Sequence, residues 1–221
     1  MQRVVIIGAG GFAREVLDVL DAVNSRKATY RILGFIVDPQ YAKAGDILND
    51  KAVLGGFEWL EAHRGEVEAI CGVGAPELRF RMVARAKSMG VRFFSVIHPG
   101  AILTRWVTFG EGSILTAGSV LTNRIRIGNH VHVNLDCTVG HDAVIEDFVT
   151  LSPGVHVSGN VTILEGASVG TGANIIEKKT IGSWSTVGAG TTVIQDVPNN
   201  STVVGVPGKV IKTRPDGWHS A

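Results

Sequence analysis

Cysteine is nearly absent from this sequence. There are two, Cys71 and Cys137, far apart and with no Cys-x-x-Cys pair. That excludes a disulfide framework, and reduced thiols in a cytoplasmic protein are the expectation. Charge of one sign is missing as well: 21 Lys and Arg stand against 20 Asp and Glu, for a net +1. Such a balance makes no field to gather a polyanion. Aromatics are scarce at 6%, and no basic run interleaves with them, so no nucleic-acid surface is expected. No apolar run approaches the ~18 residues of a membrane span. The N-terminus has no basic stretch ahead of an apolar one, so no signal peptide is expected either.

Glycine, at 28 residues, is what the chain has in plenty, and between Ala101 and Asp196 much of it falls on a strict period of six. One position of the hexad is always apolar: Leu103, Phe109, Leu115, and so on without a break to Ile181, Val187 and Val193. Two places earlier stands mostly a small or β-branched residue, and the place after the aliphatic is often glycine, as at Gly110, Gly128, Gly140 and Gly170. A helix repeats at about 3.6 and a simple strand at 2, so neither makes a six. One short strand plus one tight corner does, and three such units close a triangular coil of eighteen residues. The repeat therefore predicts a parallel β-helix of a little over five coils. One inward aliphatic per hexad is a thin core, so self-association is expected.

Residues 1–96 carry a different pattern. Arg3 to Ile7 is a short apolar strand running into Gly8-Ala9-Gly10-Gly11-Phe12-Ala13, then a helical stretch with Val16, Leu17 and Leu20 on one face. Strand, glycine turn and helix make a phosphate-binding arrangement, since glycines admit a pyrophosphate and the helix start offers free N–H groups. The same glycines also serve close helix–sheet packing. Further strands are expected at Arg31–Val37, Val67–Val73 and Val91–Ile97, with a turn and short helix around 52–60 and a helix over Glu77–Met89 that turns Phe80, Val83, Ala84 and Lys87 to one side. Asp38, closing the second strand, suits either a ribose or a plain turn before Pro39. The alternation predicts a small parallel α/β domain, sized for one nucleotide moiety. The β-helix is expected over 97–211, ending in one or two extra strands, and a loosely held polar tail over 212–221.

Steps of eighteen residues place side chains on the prism. Gly159 stands one coil above His141, so a titratable base lies beside a position with no side chain and an exposed N–H. Asp142 follows at the corner and is placed to orient the imidazole. Base, carboxylate and N–H suit acyl transfer, although an exposed corner histidine is often idle. Asn134 and Asp136 precede His141 and suit either sugar binding or corner hydrogen bonds. His132 and His156 flank inward aliphatics, point outward, and are expected at a subunit interface. His130 and His132 lie two apart, but no third ligand matches them, so no metal site is expected. Trp106 and Trp184 read as surface or interface packing.

With Gly8-Ala9-Gly10-Gly11, Asp38, the unbroken hexads, Gly140-His141-Asp142 and Val204-Gly205-Val206-Pro207, nearly the whole chain resembles the bacterial nucleotide-sugar acetyltransferases of the NeuD/PglD type. Some of these N-acetylate nucleotide-linked 4-amino-4,6-dideoxy sugars, and relatives O-acetylate sialic acid. The resemblance implies a left-handed β-helix, a homotrimer with sites between subunits, acetyl-CoA as co-substrate, and a role in cell-surface polysaccharide biosynthesis. It implies His141 as general base with Asp142 beside it, and Gly159 N–H at the thioester carbonyl. Asn134 then lies near the sugar, Gly170, Thr171, Gly188 and Ala189 along CoA, and Gly8, Gly10, Gly11 and Asp38 at the nucleotide. Two departures concern the acceptor: some members carry paired acids where Val37-Asp38 has one, and some have a histidine where Gly11-Phe12 stands. Acetyl transfer to an amine is the leading expectation. Transfer to a hydroxyl, a non-catalytic scaffold, and an NAD-linked enzyme are the alternatives.

Overall fold

The structure, a computed structural model, describes residues 1–220. Its first part is a six-stranded sheet, whose strands in order across it are Ile47–Leu48, Lys51–Gly55, Tyr30–Ile36, Gln2–Ile7, Glu68–Cys71 and Arg92–Phe93. The elements are β1 (Gln2–Ile7), α1 (Gly11–Arg26), β2 (Tyr30–Ile36), β3 (Ile47–Leu48), β4 (Lys51–Gly55), α2 (Phe57–Ala62), β5 (Glu68–Cys71), α3 (Pro76–Ser88) and β6 (Arg92–Phe93). β1 lies between β2 and β5, parallel to both. Val4, Val5, Ile6 and Ile7 are all fully buried, as expected of a parallel strand covered on both faces. α1 buries Ala13, Val16, Leu17, Val19 and Leu20. It comes so close to the sheet that a Cβ on Gly72 would lie 2.6 Å from the Ala13 Cα. The close-packing role of this region is thus real, and it falls on Gly72 and Ala13.

Three details depart from the sequence expectation. Residues 52–55, expected as a turn, form β4, paired parallel to β2 and antiparallel to β3; β3 has two residues, too few for any periodicity to show. The strand expected over Val91–Ile97 is split. β6 joins β5, whereas Val96–Ile97 pairs with Ile114–Leu115 of the prism. Ser95 makes the break, donating to the Gly110 carbonyl at 2.6 Å and accepting from the Ser113 N–H at 3.0 Å. α3 buries Pro76, Arg79, Val83 and Ala86; of the side expected from the sequence, Val83 is buried and Phe80 half-buried, whereas Ala84 and Lys87 are exposed.

The hexads form three parallel sheets. The first face carries His132–Val133, Thr150–Leu151 and Ser168–Val169; the second carries Thr138–Val139 and His156–Val157; the third carries Val144–Ile145 and Thr162–Ile163. Partners sit one eighteen-residue coil apart, as in Thr138↔His156 and Val144↔Thr162. The periodic aliphatics fill one core, with Leu103 and Phe109 only partly covered at the first coil. The glycines after the aliphatics are not where the chain turns left-handed. That happens two residues later, at Arg124, Asp136, Asp142, Phe148, Asn160 and Trp184, with φ of 53° to 59°. The glycines relieve contact between coils instead: a Cβ on Gly140 would stand 2.6 Å from Gly159 N.

The α/β domain rides on the corner between the third and first faces. His130, Phe148 and Trp184 occupy that corner one or two coils apart. Gly112, one coil before His130, and Gly166, between Phe148 and Trp184, share the column, and any side chain there would collide with the His130 or the Trp184 ring. His130 stacks on Phe148 at 5.1 Å, and Phe80 of α3 meets Phe148 and Trp184 edge-on. Arg79, fully buried, bolts the seam. Its Nε donates to the His130 carbonyl, Nη1 to the Val73 and Gly74 carbonyls and His132 Nδ1, and Nη2 to the Phe148 and Val149 carbonyls and Thr150 Oγ1. Burial lowers its guanidinium pKa to about 10. His132 does point out of the prism, but the α/β domain covers it completely and Phe12 packs against it at 4.7 Å. The tail is likewise held. Trp218–Ser220 is a 3-10 turn in which His219 stacks on Trp184 at 3.8 Å and Trp218 Nε1 donates to Asn200 Oδ1. Ala221 lies outside the described residues. Among those described, no helix is long and apolar enough to cross a membrane.

Two neutral imidazoles in this seam tie its stability to pH. Burial first, then the Lys87 and Arg79 cations, lower the His130 pKa to about 3, against an opposing pull from Asp147; burial and Arg79 push His132 well below its usual value. Glu111 is the other carboxylate near His130, at 3.9 Å. The unfolded chain therefore binds more protons than the fold below pH ~6.5, so this stability is complete above that pH and is lost as pH falls toward 3. Each ring should remove a little over ~1 kcal/mol per pH unit in that window. Urea midpoints at pH 7.5 and 5.0 check this. The His130→Gln/His132→Gln double variant should have a flatter profile, and an equally steep one would refute the assignment.

Candidate active site

His141 and Asp142 stand at the corner between the second and third faces. The turn puts Asp142 at φ 59°, and its Oδ2 accepts from His141 Nδ1 at 2.9 Å. With its hydrogen on Nδ1, the ring leaves Nε2 as the acceptor. One coil on, the ring lies over Gly159: a Cβ there would come within 2.7 Å of both Nε2 and Cε1. The Gly159 N–H donates to no acceptor among the described residues. Base, orienting carboxylate and free amide thus share one corner, and the imidazole is 62% exposed, open to an incoming molecule.

The corner between the first and second faces is different. Gly154, Gly172 and Gly190 hold its left-handed positions, and Gly170 and Gly188 precede two of them. Thr171 and Ala189, stacked one coil apart, have N–H groups with no acceptor among the described residues. The result is a smooth edge, free of bulky side chains, that presents backbone donors.

In the α/β domain, Gly8, Gly10 and Gly11 line a cavity of about 570 Å³, together with Val37, Gly72 and Gly74. Gly10 precedes α1 with no side-chain cap, so the helix start is open to the cavity. Asp38 is not in the lining. It closes a turn, its Oδ1 accepting from the Gln40 N–H at 3.1 Å. A second cavity of about 370 Å³ adjoins the first through Phe12 and Gly74, and reaches the prism at Asn134, Thr150 and Ser152. Asn134 donates from Nδ2 to the Leu151 carbonyl at 2.7 Å.

Within one chain, then, His141, Asp142 and Gly159 come together, and so do the glycine turn and Asn134, but the two groups lie on different sides of the prism. Asn134 is on the first face, which the α/β domain covers. His156 is exposed on the second face, bonded to Thr138 Oγ1 at 2.8 Å. His130 and His132 are engaged in the seam, and no group of three potential metal ligands occurs among the described residues. One feature escaped the sequence reading. Trp106, Arg124, Arg126 and Asp142 line a cleft of about 460 Å³ beside the His141 corner. Its signal was available, because Arg124 stands one coil before Asp142.

The family model of the PglD N-terminal domain matches residues 3–86. The GDP-perosamine N-acetyltransferase of Escherichia coli O157:H7 is 28% identical over 201 residues, which cover 90% of this chain and 81% of that protein. Among solved structures, the acetyltransferase domain of PglB from Neisseria gonorrhoeae FA1090 is 32% identical and superposes with a TM-score of 0.87, covering 96% of this chain and all of that one (100%). PerB from Caulobacter crescentus, solved in complex with CoA and GDP-perosamine, is 29% identical with a TM-score of 0.87 over 96% of this chain and 98% of its own. A glycine-turn α/β domain carried on a hexad prism, alike over 96% of this chain to the PglB domain and PerB, places the chain in the NeuD/PglD-type family of sugar acetyltransferases.

Proposed function

We propose that this chain transfers an acetyl group from acetyl-CoA to the 4-amino group of a nucleotide-linked amino-deoxy sugar. The observation that carries the reading is the His141 imidazole lying on the free Gly159 amide with Asp142 on its other nitrogen. Acetyl-CoA brings a thioester whose carbonyl carbon is open to attack by an amine. His141 Nε2 takes the proton from the sugar amine as it attacks, and Asp142 holds the ring in the tautomer that permits this. The Gly159 N–H meets the negative charge that grows on the carbonyl oxygen; collapse of that intermediate breaks the C–S bond, and the departing CoA sulfur takes up the proton that His141 received. Both substrates are present together, with no acetylated residue between. Cys137, the nearest thiol in sequence, is buried among the core aliphatics, and burial raises its pKa to about 11, so it is a poor nucleophile.

The edge at Gly170, Thr171, Gly188 and Ala189 suits CoA, whose pantetheine amides and phosphates need donors and close approach. The glycine cavity suits the nucleotide, and the adjoining cavity at Asn134 leads from it to the prism. Because His141 lies around the prism from that path, the sugar reaches a base on another copy, which supports a homotrimer with sites shared between neighbours. The relatives named for GDP-perosamine make it the first acceptor to test. CoA release should be followed with GDP-, UDP- and dTDP-linked 4-amino sugars and with their 4-hydroxyl counterparts. Turnover confined to amino sugars is expected. Release with hydroxyl sugars alone, or with none of the panel, would overturn the proposal.

A further inference from the structure

We infer that Arg124 is a positioning residue for His141, acting through Asp142; this rests on the reading of His141 as the base. The three side chains form one chain of polar contacts. Arg124 Nε is 3.2 Å from Asp142 Oδ1, and Asp142 Oδ2 is 2.9 Å from His141 Nδ1. Each carboxylate oxygen therefore has its own partner. With Oδ1 held, rotation of the carboxylate is restricted and Oδ2 stays in line with the ring N–H. That keeps the imidazole over Gly159, with Nε2 facing the place where an amine must arrive.

Fold geometry supplies Arg124 at that place. Arg124 and Asp142 occupy the same corner in successive coils, both left-handed, at φ 53° and 59°. For a residue other than glycine that backbone costs roughly 1–2 kcal/mol. Gly112 and Gly118 hold the equivalent turning position in the two preceding hexads, at φ 68° and 74°, so glycine fits this register. Stability does not explain the arginine. Its side chain is 78% exposed and that of Asp142 36%, and such pairs contribute about 0–1 kcal/mol. What the contact does supply is direction. Arg105 is a natural contrast: an arginine of the same corner region that packs over Trp106 at 4.7 Å and makes no ion pair with Asp142.

The test compares Arg124→Gly, which keeps the turn, with Arg124→Lys, which keeps the charge, and with Arg105→Ala, which removes a neighbouring charge. Arg124→Gly should lower kcat roughly tenfold and leave both KM values within twofold. In ¹⁵N-imidazole spectra, His141 should change from one tautomer, with hydrogen on Nδ1, to a mixture of two. Arg124→Lys should recover most of kcat and of the single tautomer, and Arg105→Ala should match the parent in both. Unchanged kcat or an unchanged tautomer in Arg124→Gly would overturn the inference. So would a rise in KM alone, or an equal loss in Arg105→Ala. A His141→Ala variant run alongside separates the two layers: normal turnover there refutes the base assignment itself, whatever Arg124 does.

Discussion

Replacing His141 with alanine should lower kcat by about 10³-fold, within the range that a positioned general base contributes. The amine would have to lose its proton to water, while the Gly159 amide and the CoA edge remain. KM for both substrates should therefore change little, since an interaction made only in the transition state raises kcat and not affinity. The imidazole is mostly exposed and, among the described residues, bonded only to Asp142, so its removal leaves no cavity and no buried orphan. Steady-state kinetics with unchanged thermal stability is the check. Turnover within a few-fold of the parent would remove His141 from the mechanism and return the corner to ordinary solenoid surface.

The largest structural effect should come from Arg79→Met. The replacement has similar length and no donors. The His130, Phe148 and Val73 carbonyls would lose the only donor they have among the described residues. A buried polar group left without a partner costs ~1–3 kcal/mol, so a loss of about 3–5 kcal/mol is expected, or on the order of 10 °C in melting temperature for a chain of this size. The damage should be directional. The β-helix keeps its own ladders, whereas α3 loses its hold on the first-face corner. Amide exchange should quicken first in α3 and at residues 72–75, ahead of the prism. A melting temperature within a degree or two of the parent would show that apolar packing alone closes the seam.

The prism was legible because its period is unambiguous: a strict six admits neither helix nor plain strand, and steps of eighteen put Gly159 over His141 without coordinates. The glycine turn was legible because strand, glycines and an apolar helical face coincide within residues 3–20. The seam was not. A period states how coils stack on one another but not which corner another domain occupies. His130, Phe148 and Trp184 share one column, but nothing in the period marks that column for a second domain and not for solvent. Nothing in the sequence marks Arg79 for burial, because a lone arginine is among the last side chains to place in a core. Its burial depends on carbonyls from sequence positions 73 to 149, converging only once the domains meet. Arg124 was passed over for the opposite reason. It is exposed and at a turn, where a charged side chain ordinarily signals nothing, and its relation to Asp142 emerges only when the step of eighteen is also taken backwards.

The held tail bears on how the molecule is made. The chain leaves the ribosome N-terminus first, so the α/β domain exists before the corner it rests on. Each new coil lays down one more rung of that corner, and Trp184 arrives in the last complete turns. His219, which stacks on Trp184 and meets Phe80 edge-on, is synthesised later than the whole of the prism. The docking of the first domain is thus completed only after the prism has been laid down. A chain truncated after Thr213 would keep every strand of the prism and lack the His219 contact that finishes the join, so the seam is the last part of the fold to close.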